Sequence, residues 1–501
     1  MSLLAIDIGS SACKAVVFDA SGHVLAQHSA AYPIEFPRPS FAEARPESFW
    51  RAVCEAASSV TRELNEPVHA MGISSHGESF VPVNASGEPA APAILNQDGR
   101  AAAEAEWCEQ TLGRQRAFQI TGHVMHPMYP LGKILWMRKN QPEVFSATSK
   151  FVTVIGYVLL RMGLPPLADY SLASRYFAFD IMQRQWSNEI LDRCGLSHGI
   201  LPETAPAGTI AGKLSAEIAG QLGLKAGTPV VLGGHDQPCG AIGSGVIDQG
   251  SITDSIGTYE CLTATSDRPN LTEANLASSL NTYCHVVPGK FVTLAYFPSS
   301  IMLKWFHDLL YRNGSGGSES AHFAAMEREA KAGPSGLLIT PHLIGTCNPE
   351  FNPHARGVIF GLTPATDSSD VYKGIMEGIA CEFARLATIL EKATGDFGDI
   401  RVAGGGSRSQ LGLRLRAALT GKRLHTMECS EAVCLGSAIL AAVAVGDYAS
   451  IPEAVHEMVH ETGVVEPDSK LASSYEPQLM QYERVRELAV GMHFHEKRRG
   501  L

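Results

Sequence analysis

Leu3-Leu-Ala-Ile-Asp7-Ile-Gly9-Ser10-Ser11-Ala-Cys13-Lys14, continuing through Ala15-Val-Val-Phe-Asp19 to Ser21-Gly22, is the stretch that decides the fold. Leu3–Ile8 and Ala15–Asp19 are β-rich runs joined by a loop that begins Gly9-Ser10-Ser11, and the Ser21-Gly22 turn leads to a third run, Val24–Gln27. The spacing predicts a strand-loop-strand meander rather than a βαβ opening. Glycine lets backbone approach an anion, hydroxyls and N–H groups donate, and Lys14 adds positive charge, so the turn suits a triphosphate tail. Taken alone, it reads equally as an ordinary polar hairpin. Asp7 tips the balance, because a carboxylate ending an apolar strand beside a phosphate loop is placed to hold Mg²⁺.

Outward from this stretch the pattern alternates. Pro46–Glu63 has helical periodicity, Ala70–Ser74 and Phe80–Val83 read as strands, and Pro130–Lys139 resumes a helical period. The class is α/β. Around residue 250 the opening returns as Ser251-Ile-Thr-Asp254-Ser-Ile-Gly257-Thr258 followed by the β-run from Glu260, an acid and a Gly-hydroxyl pair again. This points to an internal duplication, with each half bringing one phosphate loop to a shared cleft. A chain of 501 residues fits two such domains. Gly314–Ser320 reads as a flexible connection within the second, and a last helix is predicted over Leu479–Met492.

Composition removes several classes of partner. A net charge of −11 without any long basic run argues against nucleic acid, and Lys497, Arg498 and Arg499 read as a solvated tail. The N-terminus has no basic segment and carries Asp7 within its apolar run, which argues against a secretory signal; a cytoplasmic protein is expected. The most apolar stretch, Ala432 to Gly446, is shorter than the ~20 residues that cross a bilayer and reads as a buried helix, so no membrane is expected. Eleven scattered cysteines without a Cys-x-x-Cys pair match free thiols in a reducing compartment, Cys239 among them as a small buried residue.

Gly233-Gly234-His235-Asp236-Gln237-Pro-Cys-Gly240 follows the apolar strand Pro229–Leu232, a position that presents a carboxylate at the mouth of a cleft. Asp236 is the candidate general base; the residue types alone also allow a helix N-cap. His235 has the more suitable intrinsic pKa but reads better as a packing residue. Gly404-Gly405-Gly406-Ser407 lies between the strand Arg401–Ala403 and the helical stretch Gln410–Leu419, and as a bare sequence is equally a flexible loop.

Asp7-x-Gly-Ser-Ser-x-x-Lys14, with Asp19 and Gly22 following, resembles the first phosphate motif of the FGGY carbohydrate kinases. Met128-Tyr-Pro130-Leu-Gly-Lys133-Ile-Leu-Trp136-Met-Arg-Lys-Asn140 resembles the first family signature. Gly357-Val-Ile-Phe-Gly361-Leu, spaced to Asp370-Val and Met376-Glu377-Gly378, resembles the second, with Gly374 departing from the Ala or Ser expected there. Glu431-Ala-x-x-Leu-Gly436-Ser-Ala438 is similar to the C-terminal helix of the family.

The resemblance implies two ribonuclease-H-like, actin-type ATPase domains around an inter-domain cleft, residues 1–246 and 247–501. It implies phosphoryl transfer from ATP with Mg²⁺ to a small sugar or polyol, and it allows a homodimer. Asp236 would accept the hydroxyl proton. Gly9, Ser10, Ser11 and Lys14, with Gly257 and Thr258 opposite, would hold the phosphates, Asp7 the metal, and Gly404, Gly405, Gly406 and Ser407 the adenosine.

Specificity is expected from His76, Gly77 and Glu78, from Asp98 and Arg100, and from Asp236 and Gln237, because sugar hydroxyls are read by carboxylates and amides. Asp98 and Arg100 read equally as a structural pair. Xylulokinases carry Met-His where Gly77-Glu78 stand and Asn in place of Gln237, and the Arg-Glu pair of glycerol kinases is Gly77-Glu78 here. A ketopentose such as D-xylulose is the leading expectation. The alternatives are glycerol, a tetritol, a gluconate-type acid, or a non-catalytic ATP-gated sugar sensor.

Overall fold

The computed structural model describes residues 2–62, 64, 66–311 and 318–492, so residues 314–317 of the expected flexible connection and the basic tail at 497–499 lie outside the described residues. Two large mixed sheets organise the chain. The first runs in the order Ile210–Lys213, Pro229–His235, Val68–Ser75, Ser2–Ile8, Ala12–Asp19, Val24–Ala31. The second runs Asn281–Cys284, Phe291–Pro298, Tyr259–Ser266, Ser251–Ile256, Asp399–Ala403, Arg423–Met427, Glu461–Val465. Without the edge strand Asn281–Cys284 the two sheets have the same order and polarity. In each, an antiparallel three-strand meander is followed by two parallel strands and one antiparallel edge. The duplication read from Gly9 and Gly257 is therefore one of topology.

The acid of the repeat is not duplicated. Gly9 N donates to Ala12 O at 2.9 Å, and Gly257 N donates to Tyr259 O at 3.1 Å, so the second loop is shorter. Superposing the glycines places Ser255, not Asp254, on Asp7. Neighbouring strand residues face opposite sides, so Asp254 turns into the core, 3.7 Å from Arg416 and fully buried.

Elements form where the chain permits them. Pro46 opens the helix Pro46–Thr61 at a position that needs no N–H partner, and its buried face packs Phe49, Val53, Ala56 and Val60 against the first sheet. Phe80–Val83 is a strand as expected, in a separate four-stranded sheet. Gly374 sits in the long helix Ser368–Thr394 where an added Cβ would lie 2.9 Å from Ile339 Cδ1 and 3.0 Å from Leu337 Cβ. That contact accounts for glycine where the family signature has a larger residue.

The apolar helix Ala432–Val445 belongs by sequence to the second half but packs on the first sheet. Leu435, Ala438 and Ile439 share a core with Leu3, Ala5, Val16 and Val231, each buried leucine, isoleucine or valine contributing ~1.5–3 kcal/mol. It crosses the helix Asp236–Gly243 with glycine at both contacts. A Cβ at Gly436 would lie 1.9 Å from Cys239 O, and one at Gly243 would lie 1.8 Å from Ala432 O. The crossing joins the two halves directly behind Asp236. Gly436→Ala is expected to lower stability by about 1–3 kcal/mol in urea unfolding, because the backbones must separate; unchanged stability would contradict this packing.

Candidate active site

The strands Ser2–Ile8, Val68–Ser75 and Pro229–His235 are parallel neighbours, with Asp7 paired to Ser74 and His235 to Ser75. Their C-terminal ends therefore deliver Asp7, the His76-Gly77-Glu78 segment and Asp236 to one edge, the usual place for a ligand in such a sheet. In the second sheet Ser255 pairs with Ala403, so Gly257-Thr258 and Gly404–Ser407 also emerge together. Asp7, Lys14, Asp236 and Gln237 from the first half line one pocket with Thr253, Ser255, Gly404 and Glu431 from the second.

Asp236 is the first residue of its helix and does not cap it; His235 holds the N-cap position. Oδ1 of Asp236 has no hydrogen-bond partner, and a quarter of the side chain (25 %) faces the cleft. Burial, then the negative charges of Asp7 and Glu78, push its pKa up to about 8. A carboxylate with this affinity for a proton, open to the cleft, is suited to general base work. The turn before it is clamped. Gly234 has φ 137°, a Cβ there would lie 2.8 Å from Ser171 Oγ, and Ser171 Oγ accepts from His235 N at 2.9 Å. Asp169, capping the helix Tyr170–Ser174, accepts from Ser171 N and Oγ at 2.7 and 2.6 Å.

Asp7 accepts from Ser74 Oγ at 3.0 Å, and burial raises it to about 6 against the pull of Ser74 and Lys14. Lys14 lies on the strand Ala12–Asp19 directly opposite Asp7, not in the loop, and its ammonium is paired with Glu431 across the cleft. Burial works to lower the Lys14 pKa, but the bond to Glu431 leaves it raised, so the lysine stays charged. Gly9, Ser10 and Ser11 form the open hairpin beside it. Its shape is held by Tyr32, whose hydroxyl donates to Gly9 O and whose N–H donates to Ser11 O, and by Asn96 Nδ2, 3.5 Å from Ser10 Oγ.

Glu78, one of the predicted specificity residues, lies close enough for its charge to raise the Asp236 pKa. It sits in a left-handed conformation, φ 59°, with its carboxylate on Arg175 Nε. Lys133 of the first signature holds that conformation by donating to Glu78 O at 3.1 Å and Leu95 O at 2.6 Å; burial brings its pKa down to about 7. Gly77 is required by packing, since a Cβ would lie 2.8 Å from His235 Cδ2 and 3.1 Å from Arg175 Cγ.

Three other residues expected on the sugar have structural parts instead. His76 spends both ring nitrogens, Nδ1 on Ile8 O at 2.8 Å and Nε2 on Ser79 Oγ at 2.7 Å. Asp98 and Arg100 close on each other through two bonds of 2.9 and 2.7 Å. Asp98 also takes Ala42 N, and Arg100 reaches Glu43 and lies over Phe41 and Trp136. Their side chains are 0 and 1 % exposed, and together they brace the loop.

In the second sheet, Gly404 and Gly406 pack on Ile256, the residue before Gly257. Gly404 has φ 88° and a Cβ would lie 2.6 Å from Ile256 O, while one at Gly406 would lie 2.2 Å from Ile256 Cγ2. Ser407 Oγ donates back to Gly404 O at 2.8 Å. Ser299 N donates to Thr258 O at 3.0 Å, and Ser299 Oγ donates to Glu260, which Arg416 grips at 2.8 and 2.6 Å. Gly405 and Gly406 open onto a second cavity of about 360 Å³, walled by Leu303, Phe323, Tyr372 and Met376. An apolar slot beside glycines suits a nucleoside. Among the described residues no helix is long and apolar enough to cross a membrane.

The FGGY carbohydrate kinase N-terminal domain matches residues 2–243, and the C-terminal domain of the same family matches residues 254–445. The chain belongs to the FGGY family of carbohydrate kinases. The kinase is 28% identical over 489 residues to a xylulose kinase of Escherichia coli, covering 96% of this chain and 98% of that one. It is 27% identical over 486 residues to a gluconokinase of Bacillus subtilis, covering 94% and 93%. Solved structures of a gluconate kinase and a ligand-bound xylulose kinase, both from Lactobacillus acidophilus, superpose with TM-score 0.89 over 98% of this chain and 99% of theirs at 23% identity. It is thus a sugar phosphotransferase of two-domain α/β fold. Arg175, Ser171 and Tyr283 escaped the sequence reading, because none belongs to a local pattern that marks it, and Glu431 reads there as part of the C-terminal helix motif but not as the partner of Lys14.

Proposed function

We propose that this kinase transfers the γ-phosphate of Mg-ATP to a hydroxyl of a ketopentose such as D-xylulose, with residues 1–246 supplying the acceptor site and base and residues 247–501 the nucleoside site. The observation that carries the reading is the single pocket in which Asp7, Lys14 and Asp236 face Ser255 and Gly404. Asp236 takes the acceptor proton as the hydroxyl oxygen bonds to the γ-phosphorus and the bond to the β-phosphate oxygen breaks. Lys14 faces the departing charge. Asp7 fits Mg²⁺, since its carboxylate is held by one hydroxyl and sits in a pocket richer in carboxylates than in cations. The metal, when bound, would neutralise phosphate oxygens.

Relatives named xylulose kinase support the ketopentose, and Gly77, Glu78 and Gln237 are where this chain departs from them. Coupled ADP release across ketoses, aldoses, polyols and sugar acids tests the choice: D-xylulose is expected to give the highest kcat/KM, and a higher value for gluconate or glycerol would replace it. Glu78→Gln is expected to lower kcat/KM for the acceptor by about 10–100-fold, the worth of a charged hydrogen bond, with KM for ATP within about twofold. An unchanged acceptor KM would remove Glu78 from the sugar.

A further inference from the structure

The second half places one side chain in the heart of the first. Tyr283, on the edge strand Asn281–Cys284, is fully buried, and its hydroxyl lies 3.0 Å from His235 Nδ1. The strand is tied down on both sides of it. Thr282 N donates to Gly122 O at 2.8 Å, Val124 N donates to Asn281 Oδ1 at 3.2 Å, and Cys284 N approaches Ser174 Oγ at 3.5 Å. This edge strand has no counterpart in the first sheet. It is an addition to the repeat, and it leads to the residue beside the base.

His235 Nε2 lies 3.4 Å from Asp236 Oδ1, the oxygen that has no hydrogen-bond partner. Such an approach is favourable to an ionised carboxylate only if Nε2 carries the hydrogen, and catalytic hydrogen bonds of this length shorten when substrate is bound. Burial, and then the positive charge of Arg175, hold His235 well below the usual histidine range, so the ring carries one hydrogen. With that hydrogen on Nε2, Nδ1 must accept, and the donor is the Tyr283 hydroxyl. The other charged groups facing Asp236 are Asp7, Glu78 and Arg175.

We infer that Tyr283 is a positioning residue for phosphoryl transfer: it fixes the His235 tautomer so that Nε2–H faces Asp236 and steadies the carboxylate in its proton-accepting form. The inference rests on Asp236 as the base. Because Tyr283 comes from the second sheet, the arrangement makes the base depend on how the two halves meet.

Nitrogen-15 NMR of histidine-labelled full-length protein reads the tautomer without any variant, by the response of His235 against a His235→Gln assignment sample. At a pH above the value of about 8 at which Asp236 ionises, the expected spectrum has an unprotonated, hydrogen-bonded Nδ1 and a protonated Nε2. A proton on Nδ1 in the wild type overturns the inference. Tyr283→Phe is then expected to mix the two tautomers and to lower kcat about tenfold, well short of the loss on removing the base, with KM for ATP unchanged. A fall in kcat with the tautomer intact would overturn it too, leaving Tyr283 a packing residue. An inactive Asp236→Asn beside a wrong tautomer would sink this inference alone, whereas an active Asp236→Asn would sink the reading beneath it.

Discussion

Asp236→Asn is expected to lower kcat by about 10²–10⁴ while leaving ATP affinity nearly unchanged, because the amide keeps the shape of the carboxylate and cannot accept the acceptor proton. A near-normal rate would take Asp236 out of the reaction. The pKa near 8 gives two further consequences. The base works ionised, so the wild-type rate should rise with pH on its acidic limb, and that limb should vanish from any residual activity of the variant. The effect on stability has the opposite direction. The folded protein holds this proton more tightly than the unfolded chain, so unfolding releases it, and stability contributed here falls as pH rises from about 4 to about 8. The Asp7 carboxyl, at about 6, acts in the same sense over a narrower window. The neutral asparagine escapes this loss. Thermal unfolding at pH 8 should therefore find the inactive variant at least as stable as the wild type, the usual exchange of stability for a strained, useful site.

Asp7→Ala is expected to lower kcat/KM for Mg-ATP by about 10²-fold, the scale of metal-supplied charge stabilisation, and to leave acceptor binding within about twofold. The division follows from place. Asp7 faces Lys14 across the first hairpin and shares its pocket with Ser255 and Gly404, whereas Glu78 and Arg175 pair with each other and do not line that pocket. Steady-state kinetics with calorimetry of the acceptor alone separates the two effects. Equal loss of acceptor affinity would contradict the assignment, and partial recovery at high Mg²⁺ would strengthen it.

What could be read in the sequence was whatever lies in consecutive residues at a strand end. Asp7 with Gly9, Asp236 with Gly233, and Gly404 after Ala403 each announce themselves because β-runs stop at a glycine beside a functional group. The face on which an acid lies is harder. Asp254 carries the same signal as Asp7, yet it stands one residue further from its glycine and so faces the core against Arg416. Asp98 and Arg100 read equally as ligands and as a structural pair, and only the fold shows the two bonds between them. Arg175 reaches Glu78 from 97 residues away and Tyr283 reaches His235 from 48, and no local pattern records such pairings. The helix Ala432–Val445 was legible as buried, because it is apolar on all sides; that it roofs the first sheet depends on Gly436 and Gly243 meeting across the chain.

An acceptor hydroxyl, deprotonated at Asp236, is expected to take the γ-phosphate only when both halves of the cleft are engaged. Phosphorus-31 NMR of ATP and Mg²⁺ with the purified kinase, recorded with and without D-xylulose and the wider acceptor panel, tests it most directly. A new phosphomonoester signal with stoichiometric ADP is expected in the presence of an acceptor, slow release of inorganic phosphate in its absence, and neither at a useful rate in Asp236→Asn. ATP consumed to inorganic phosphate equally fast with and without acceptor, or a phosphomonoester formed at the wild-type rate by Asp236→Asn, would contradict it.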